Sequence, residues 1–255
     1  MSRLFDVTDL HVTYRRPGER PLEAVKGVSF VLEAGETLGI VGESGSGKST
    51  IAKTLMLLQP ASGGEIRFCG KDVAAFTAAE RRNYRRDVQM VFQDAVGSLN
   101  PRMTIRQALA EAFAVSGRAD AAEGPRKPED LLDIVGLSRA VLDQYPRELS
   151  GGQCQRASFA RALAVRPRVL VADEPVSALD VSIQSQILNL LTELTRELEL
   201  TMIFISHDLS VVHYLADSIA VMQRGRIVEY GTADAVFNHP QNPYTQTLLA
   251  AVPTL

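Results

Sequence analysis

The stretch Gly42, Glu43, Ser44, Gly45, Ser46, Gly47, Lys48, Ser49 and Thr50 constrains the fold of this chain more than any other. It follows Leu38–Val41, an apolar run that reads as a strand, and leads into a helix starting near Lys48. Glycines at this spacing let successive backbone N–H groups converge on anionic oxygens with no Cβ in the way. The helix N-terminus adds its positive end, Lys48 reaches the β- and γ-phosphates, and the Ser49 hydroxyl is a ligand for magnesium. The alternative is a glycine-rich turn before an ordinary helix, and the flanking strand and helix weigh against it.

The surrounding pattern extends this seed. Val28–Leu32, Thr37–Val41 and Glu65–Phe68 read as strands punctuated by Gly35, Gly63, Gly64 and Gly70. Between residues 101 and 148 the spacing turns helical, at Ile105–Phe113 and Leu131–Val135, with Pro101, Pro125, Pro128 and Pro146 cutting the segment into short helices. The stretch Ser116–Pro128 reads as a loose connection between them. Val169–Ala172 and Met202–Ile205 are then short apolar strands that alternate with helical patterns at Gln155–Val165 and Ile183–Leu198. Strand–helix alternation of this kind predicts a parallel sheet with crossover helices, an α/β core interrupted by a helical insertion.

Composition removes several other classes. The 255 residues are 45% hydrophobic and 22% charged, an ordinary globular balance. No run approaches the roughly 18 apolar residues that span a bilayer, and MSRLFDVTDL lacks the apolar core of a signal peptide, so a cytoplasmic protein is expected. Cys69 and Cys154 are too few for a disulfide framework or a cysteine-rich metal site. A net charge of −3 recruits no nucleic acid globally. Arg81, Arg82, Arg85 and Arg86 share one helix side, either a solvated face or a docking surface for a partner or phosphate. His11, His213 and His239 have no acidic or cysteine neighbours at metal-ligand spacing and are expected in surface or packing roles.

Two further constellations complete an ATP-hydrolysing apparatus. Val169–Glu174 is a buried strand ending in two carboxylates, which a parallel sheet delivers to its C-terminal edge. Asp173 is expected to hold magnesium through a water, and Glu174, pointing elsewhere, to polarise the attacking water as general base. Leu149-Ser150-Gly151-Gly152-Gln153 sets an N-cap serine and two glycines ahead of a helix, a second set of N–H donors for phosphate.

One phosphate does not need two such helix ends from one subunit, and here the chain resembles the ATPase subunits of ABC transporters, whose signature motif is this LSGGQ. The resemblance covers essentially the whole chain. It implies a RecA-like P-loop NTPase core, mostly parallel, with an N-terminal antiparallel β subdomain. The core is expected over 1–94 and 163–255, and a helical subdomain with the signature over 95–162. It also implies that Tyr14 stacks on adenine and that Gln93 contacts magnesium and water. Asp180 falls in the loop Ser177–Asp180 that joins the two active sites of a dimer, and His207 contacts the γ-phosphate. In such a dimer Gly42–Thr50 of one subunit and Ser150, Gly151, Gly152 and Gln153 of the other sandwich each ATP. The cofactors implied are ATP and Mg2+.

The wording of Gln93–Thr104, Asp173–Gln186 and His239–Leu249 is similar to that of oligopeptide and dipeptide importers, and Cys154 after the signature is similar to the second of their two ATPase subunits. The implied partners are a second ABC ATPase subunit in a heterodimer, with a homodimer as the alternative, two transmembrane permease subunits and an extracytoplasmic solute-binding protein. The implied location is the cytoplasmic face of the membrane. Importers of nickel, metallophores and some sugars share much of this wording. ABC ATPases of DNA repair insert long coiled coils or zinc modules before the signature, where this chain has short proline-broken helices. Ala95-Val96 departs from a proline and an aromatic often found there. The stop at Leu255 implies that the cysteine-bearing iron–sulfur tail of some relatives is missing.

Overall fold

Apolar side chains alternate with polar ones over two long segments, which pair as antiparallel strands β1 (Arg3–Tyr14) and β2 (Leu22–Glu33). The chain continues through β3 (Thr37–Val41), α1 (Lys48–Leu55), β4 (Gly63–Phe68), β5 (Lys71–Asp72), α2 (Ala78–Asp87), β6 (Val88–Val91) and α3 (Ala95–Ser98). Helices α4 (Ile105–Ser116), α5 (Pro128–Ile134) and α6 (Gly151–Leu163) precede β7 (Val169–Asp173) and α7 (Val181–Glu197). The last elements are β8 (Thr201–Ser206), α8 (Leu209–Leu215), β9 (Ser218–Gln223), β10 (Arg226–Thr232), α9 (Ala233–Asn238) and α10 (Pro243–Ala250). The computed structural model describes residues 2–15, 17–18, 20–116, 127–177 and 179–250, Ser116 through its backbone alone. Most of the expected loose stretch after Ser116 and Ala178 of the dimer loop therefore lie outside the described residues.

The chain divides into two compact units, Met1–Arg81 with Glu199–Leu255, and Arg82–Leu198. In the first, β2, β1, β4 and β5 form an antiparallel sheet in that order. The Phe5 and Phe68 rings meet on it at 5.1 Å between centroids. A second sheet of this unit has β3 between β8 and β9, both parallel to it, and β10 antiparallel to β9. Every residue of β3 and β8 is buried, as expected of parallel strands covered on both faces.

In the second unit β6 runs parallel to β7, with Val88 opposite Val169 and Val91 opposite Ala172. Helix α7 buries Ile187, Leu190, Leu191 and Leu194, the stripe that 3.6-residue periodicity predicts. Helix α6 is buried along most of its length, through Cys154, Ala157, Phe159, Ala160 and Leu163 among others. It is pinned by polar bonds to its neighbours: the Arg156 guanidinium donates to the Val135 carbonyl at 2.8 Å, and Ser158 lies 3.0 Å from Ser98. The segment 95–162 lies inside this unit, which also carries β6 and β7.

Candidate functional site

Strand β3 delivers the glycine loop, and the two glycines at its ends have no tolerable substitute. A Cβ on Gly42 would overlap the Met222 carbonyl oxygen. Gly47 has φ +111, and its Cβ would lie 2.5 Å from the Ala24 carbonyl oxygen. Neighbouring strands thus shape the loop from outside, and Gly225 at the β9–β10 turn donates its N–H to the Ser46 carbonyl at 2.9 Å. Gly47 is the N-cap of α1 and, having no side chain, supplies no cap hydrogen bond to that helix end. The Ser46 hydroxyl is buried and has no hydrogen-bond partner. The Lys48 ammonium, 3% exposed, donates to the Gly42 carbonyl at 2.6 Å and the Glu43 carbonyl at 2.9 Å. An open helix end, an orphaned buried hydroxyl and a buried cation folded over the loop together fit phosphate groups.

Other predicted residues of this unit have definite places. Ser206, the last residue of β8, is opposite Val41, the last of β3, so His207 emerges exposed at the same sheet edge as the glycine loop. Asp208 then caps α8, its carboxylate accepting from the Ser210 and Val211 amides. Tyr14 ends β1 half-buried, with its hydroxyl 3.3 Å from the Thr50 hydroxyl at the start of α1. His11 sits at the surface of the antiparallel sheet. Strand pairing sets its ring between the carboxylates of Glu23 and Asp9, each at 3.2 Å. The Glu23 hydrogen bond, opposed by desolvation and helped by Asp9, raises its pKa above the ordinary histidine value.

In the second unit β7 carries Asp173 and Glu174 to its C-terminal edge. Asp173 is 7% exposed. Glu174 has φ 47, the left-handed region that non-glycine residues seldom occupy, so the turn begins there and the two carboxylates cannot continue the strand's alternation. Gln93 donates its amide to the Ser177 hydroxyl at 3.2 Å, and that hydroxyl donates to the Glu174 carbonyl at 3.0 Å. Gln93 is thereby tied to the backbone of the predicted base. Ser177 as the tie was not anticipated, because the two residues are 84 positions apart and only the parallel pairing of β6 with β7 joins them.

The signature segment closes on itself. The Ser150 hydroxyl accepts from the Gln153 amide at 3.3 Å, and the Gln153 side chain accepts from the Ser150 amide at 2.9 Å, a complete capping box on α6. Gly151 lies at its exposed tip. Asp180 is exposed at the N-cap of α7, where its carbonyl accepts from the Ile183 and Gln184 amides at 2.9 Å. Beside the signature, a cavity of about 440 Å³ is lined by Gln93, Val96, Gly151, Gln155 and Leu179 among others. Gln155 is 2% exposed, and its amide nitrogen has no partner.

Among the described residues no three His, Cys, Asp or Glu side chains gather as a metal cluster. A divalent cation here would take few carboxylates, with hydroxyl, amide and phosphate oxygens making up its shell, which is the donor set that suits magnesium.

Residues 25–177 match the family described as ABC transporter, and residues 228–255 match the family described as Oligopeptide/dipeptide transporter, C-terminal region. The oligopeptide transport ATP-binding protein OppF of Streptococcus mutans is 47% identical over 253 residues, 99% of this chain and 82% of that protein. The dipeptide transport ATP-binding protein DppF of Escherichia coli is 46% identical over 237 residues, 93% of this chain and 71% of that protein. Among solved structures, the dimeric post-hydrolysis state of the ATP-binding cassette MJ0796, bound to ADP and Pi, aligns with a TM-score of 0.77 at 28% identity, over 90% of this chain and 99% of that one. The cbiO1 protein of Clostridium perfringens, part of the ABC transporter complex cbiONQ, aligns with a TM-score of 0.77 at 27% identity, over 94% and 92%.

Proposed function

The chain belongs to the ABC transporter family, and from that premise we propose that it is the ATP-hydrolysing subunit that energises an importer of oligopeptides or dipeptides. The observation that carries the peptide assignment is the agreement of two independent matches. Relatives covering nearly the whole chain are named for oligopeptide and dipeptide transport, and the last 28 residues, 228–255, match the C-terminal region of that same transporter class.

The chemistry follows from the chain's own groups. Backbone N–H donors of Gly45 to Thr50 and the N-terminal end of α1 bind phosphate oxygens, and Lys48, held at the Gly42 and Glu43 carbonyls, reaches the β- and γ-phosphates. Tyr14, on the strand beside Thr50, offers its ring to adenine. Magnesium, held by Ser49, Gln93 and, through a water, Asp173, would neutralise phosphate charge. Glu174 accepts the proton of the attacking water, with Gln93 and Ser177 holding its backbone, and His207 steadies the γ-phosphate. Ser150, Gly151, Gly152 and Gln153 face the nucleotide of a companion ATPase subunit, with Asp180 in the loop between the two sites.

No helix among the described residues is long and apolar enough to cross a membrane. In this reading, two permease subunits hold the chain at the cytoplasmic face. The cavity beside Gln93 and Val96, the latter 51% exposed, suits a short helix from a permease. A solute-binding protein outside the membrane completes the assembly.

The test is Glu174→Gln in the complex with its companion ATPase and permeases. The expected outcome is retained ATP binding with turnover reduced by about 10²- to 10⁴-fold. ATP hydrolysis by the unmutated complex should rise with a peptide-loaded binding protein. Stimulation by another solute but by no peptide would overturn the peptide assignment, and unchanged turnover in the variant would remove Glu174 from its role.

A further inference from the structure

One peptide group of the phosphate loop is held at both ends. The carbonyl of the Gly42–Glu43 peptide accepts from Lys48 Nζ at 2.6 Å, and the N–H of the same peptide donates to the Tyr244 hydroxyl at 3.1 Å. The next carbonyl, that of Glu43, accepts from Lys48 Nζ and from the Ser46 amide at 3.1 Å. Tyr244 is 201 residues from Glu43 along the chain and comes from α10, within the first compact unit.

Helix α10 is anchored where it begins. The Glu229 carboxylate on β10 accepts from the Gln241 amide at 2.7 Å and the Asn242 amide at 3.2 Å. The Asn242 side chain donates to the Val228 carbonyl at 3.2 Å and accepts from the Tyr244 amide at 2.9 Å. Thr245, the next residue, is fully buried. The turn at Gly225, which feeds β10, meanwhile bonds the Ser46 carbonyl on another part of the loop. Strand β10 and the helix it anchors thus grip the phosphate loop at two points. Burial raises the Tyr244 phenol above its ordinary pKa, so its oxygen stays neutral and protonated at physiological pH and serves as a simple acceptor.

A peptide that donates at one end and accepts at the other has its plane fixed, and each bond polarises the other. A carbonyl so oriented and polarised holds the Lys48 ammonium over the loop, where nucleotide phosphates arrive, and spares the binding step part of the cost of ordering that side chain. We propose that Tyr244 is a positioning residue for nucleotide binding, acting through the Gly42–Glu43 peptide to hold Lys48 in its receptive pose. The role rests on the reading of this loop as an ATP site. It gives the C-terminal segment a task inside the nucleotide site, beyond that of a transporter-class marker.

The test is Tyr244→Phe in the full complex, which keeps the ring and removes the hydroxyl. The KM for ATP should rise roughly three- to tenfold, the worth of one neutral hydrogen bond, while kcat stays within about twofold. Hydrogen exchange of the Glu43 amide, followed in the nucleotide-free full-length chain, should speed up in the variant. An unchanged KM, or unchanged Glu43 protection, overturns the proposal, as does a fall in kcat with KM constant. The underlying ATP reading is checked separately. If the unmutated protein binds no ATP, or Lys48→Ala binds it equally well, that reading fails. If both behave as expected and Tyr244→Phe matches the unmutated protein, only the positioning role is lost.

Discussion

Two helices of this chain begin with glycine-rich segments, and they end their exposed amides in opposite ways. Helix α1 starts from Gly47 in a left-handed conformation, with no side-chain cap and a buried, unpartnered serine hydroxyl beside it. Helix α6 starts from Ser150 and is sealed by a reciprocal capping box with Gln153. The N-terminus of a helix leaves about four amides without partners, and a chain either satisfies them or leaves them for a ligand. The first end is built incomplete. At the second, the chain's own side chains satisfy the Ser150 and Gln153 amides, which suits the proposed role of a surface that meets the nucleotide of another subunit.

The sharpest way to break this contrast is Gly47→Ala. The new Cβ lies 2.5 Å from the Ala24 carbonyl at a φ of +111, so the loop must shift at a strain cost of about 1–3 kcal/mol. Nucleotide affinity, read by titration, should fall by about ten- to a hundredfold, and retained affinity would show that the open end does not depend on glycine. Ser150→Ala tests the other side. Loss of the cap should lower stability by about 1 kcal/mol in a denaturant melt, with ATP binding to the isolated chain unchanged. A drop in that binding would mean the sealed end serves nucleotide within one subunit.

The smallest expected effect sets a floor for both. His11 bridges Glu23 and Asp9 on the strand that ends in Tyr14, and its pKa is raised. Its stabilising contribution is therefore fully present below about pH 6.5, the ordinary histidine value, and is lost as pH climbs through the raised one. The difference in Tm between the unmutated protein and His11→Ala should be greater at about pH 5 than at about pH 9. Since these groups are exposed, that difference should be smaller than the effect of removing the Ser150 cap.

Local order in the sequence accounts for what could be read from it. Leu38–Val41, the glycines and Lys48 are contiguous, and so are Val169–Glu174 and Ser150–Gln153, so their strand, loop and cap are visible as neighbours. Helix boundaries were less legible. Gln155–Val165 reads as helical, but α6 begins at Gly151 because the capping box outweighs the poor helix propensity of two glycines. Strand β6 is only four residues, and runs that short cannot be told from helix by periodicity. The contacts between Gln93 and Ser177, Glu23 and His11, and Tyr244 and Glu43 arise from pairing of distant segments, for which local pattern holds no signal.

Glu174 stands at φ 47, where glycine would be more comfortable than any acid. The position proposed above as the general base is thus one where folding and turnover pull apart. A search for heat-resistant versions that scored survival alone would favour glycine at 174, at the expense of the proposed base. A screen that also scored ATP turnover would tell whether the carboxylate is needed in this awkward seat.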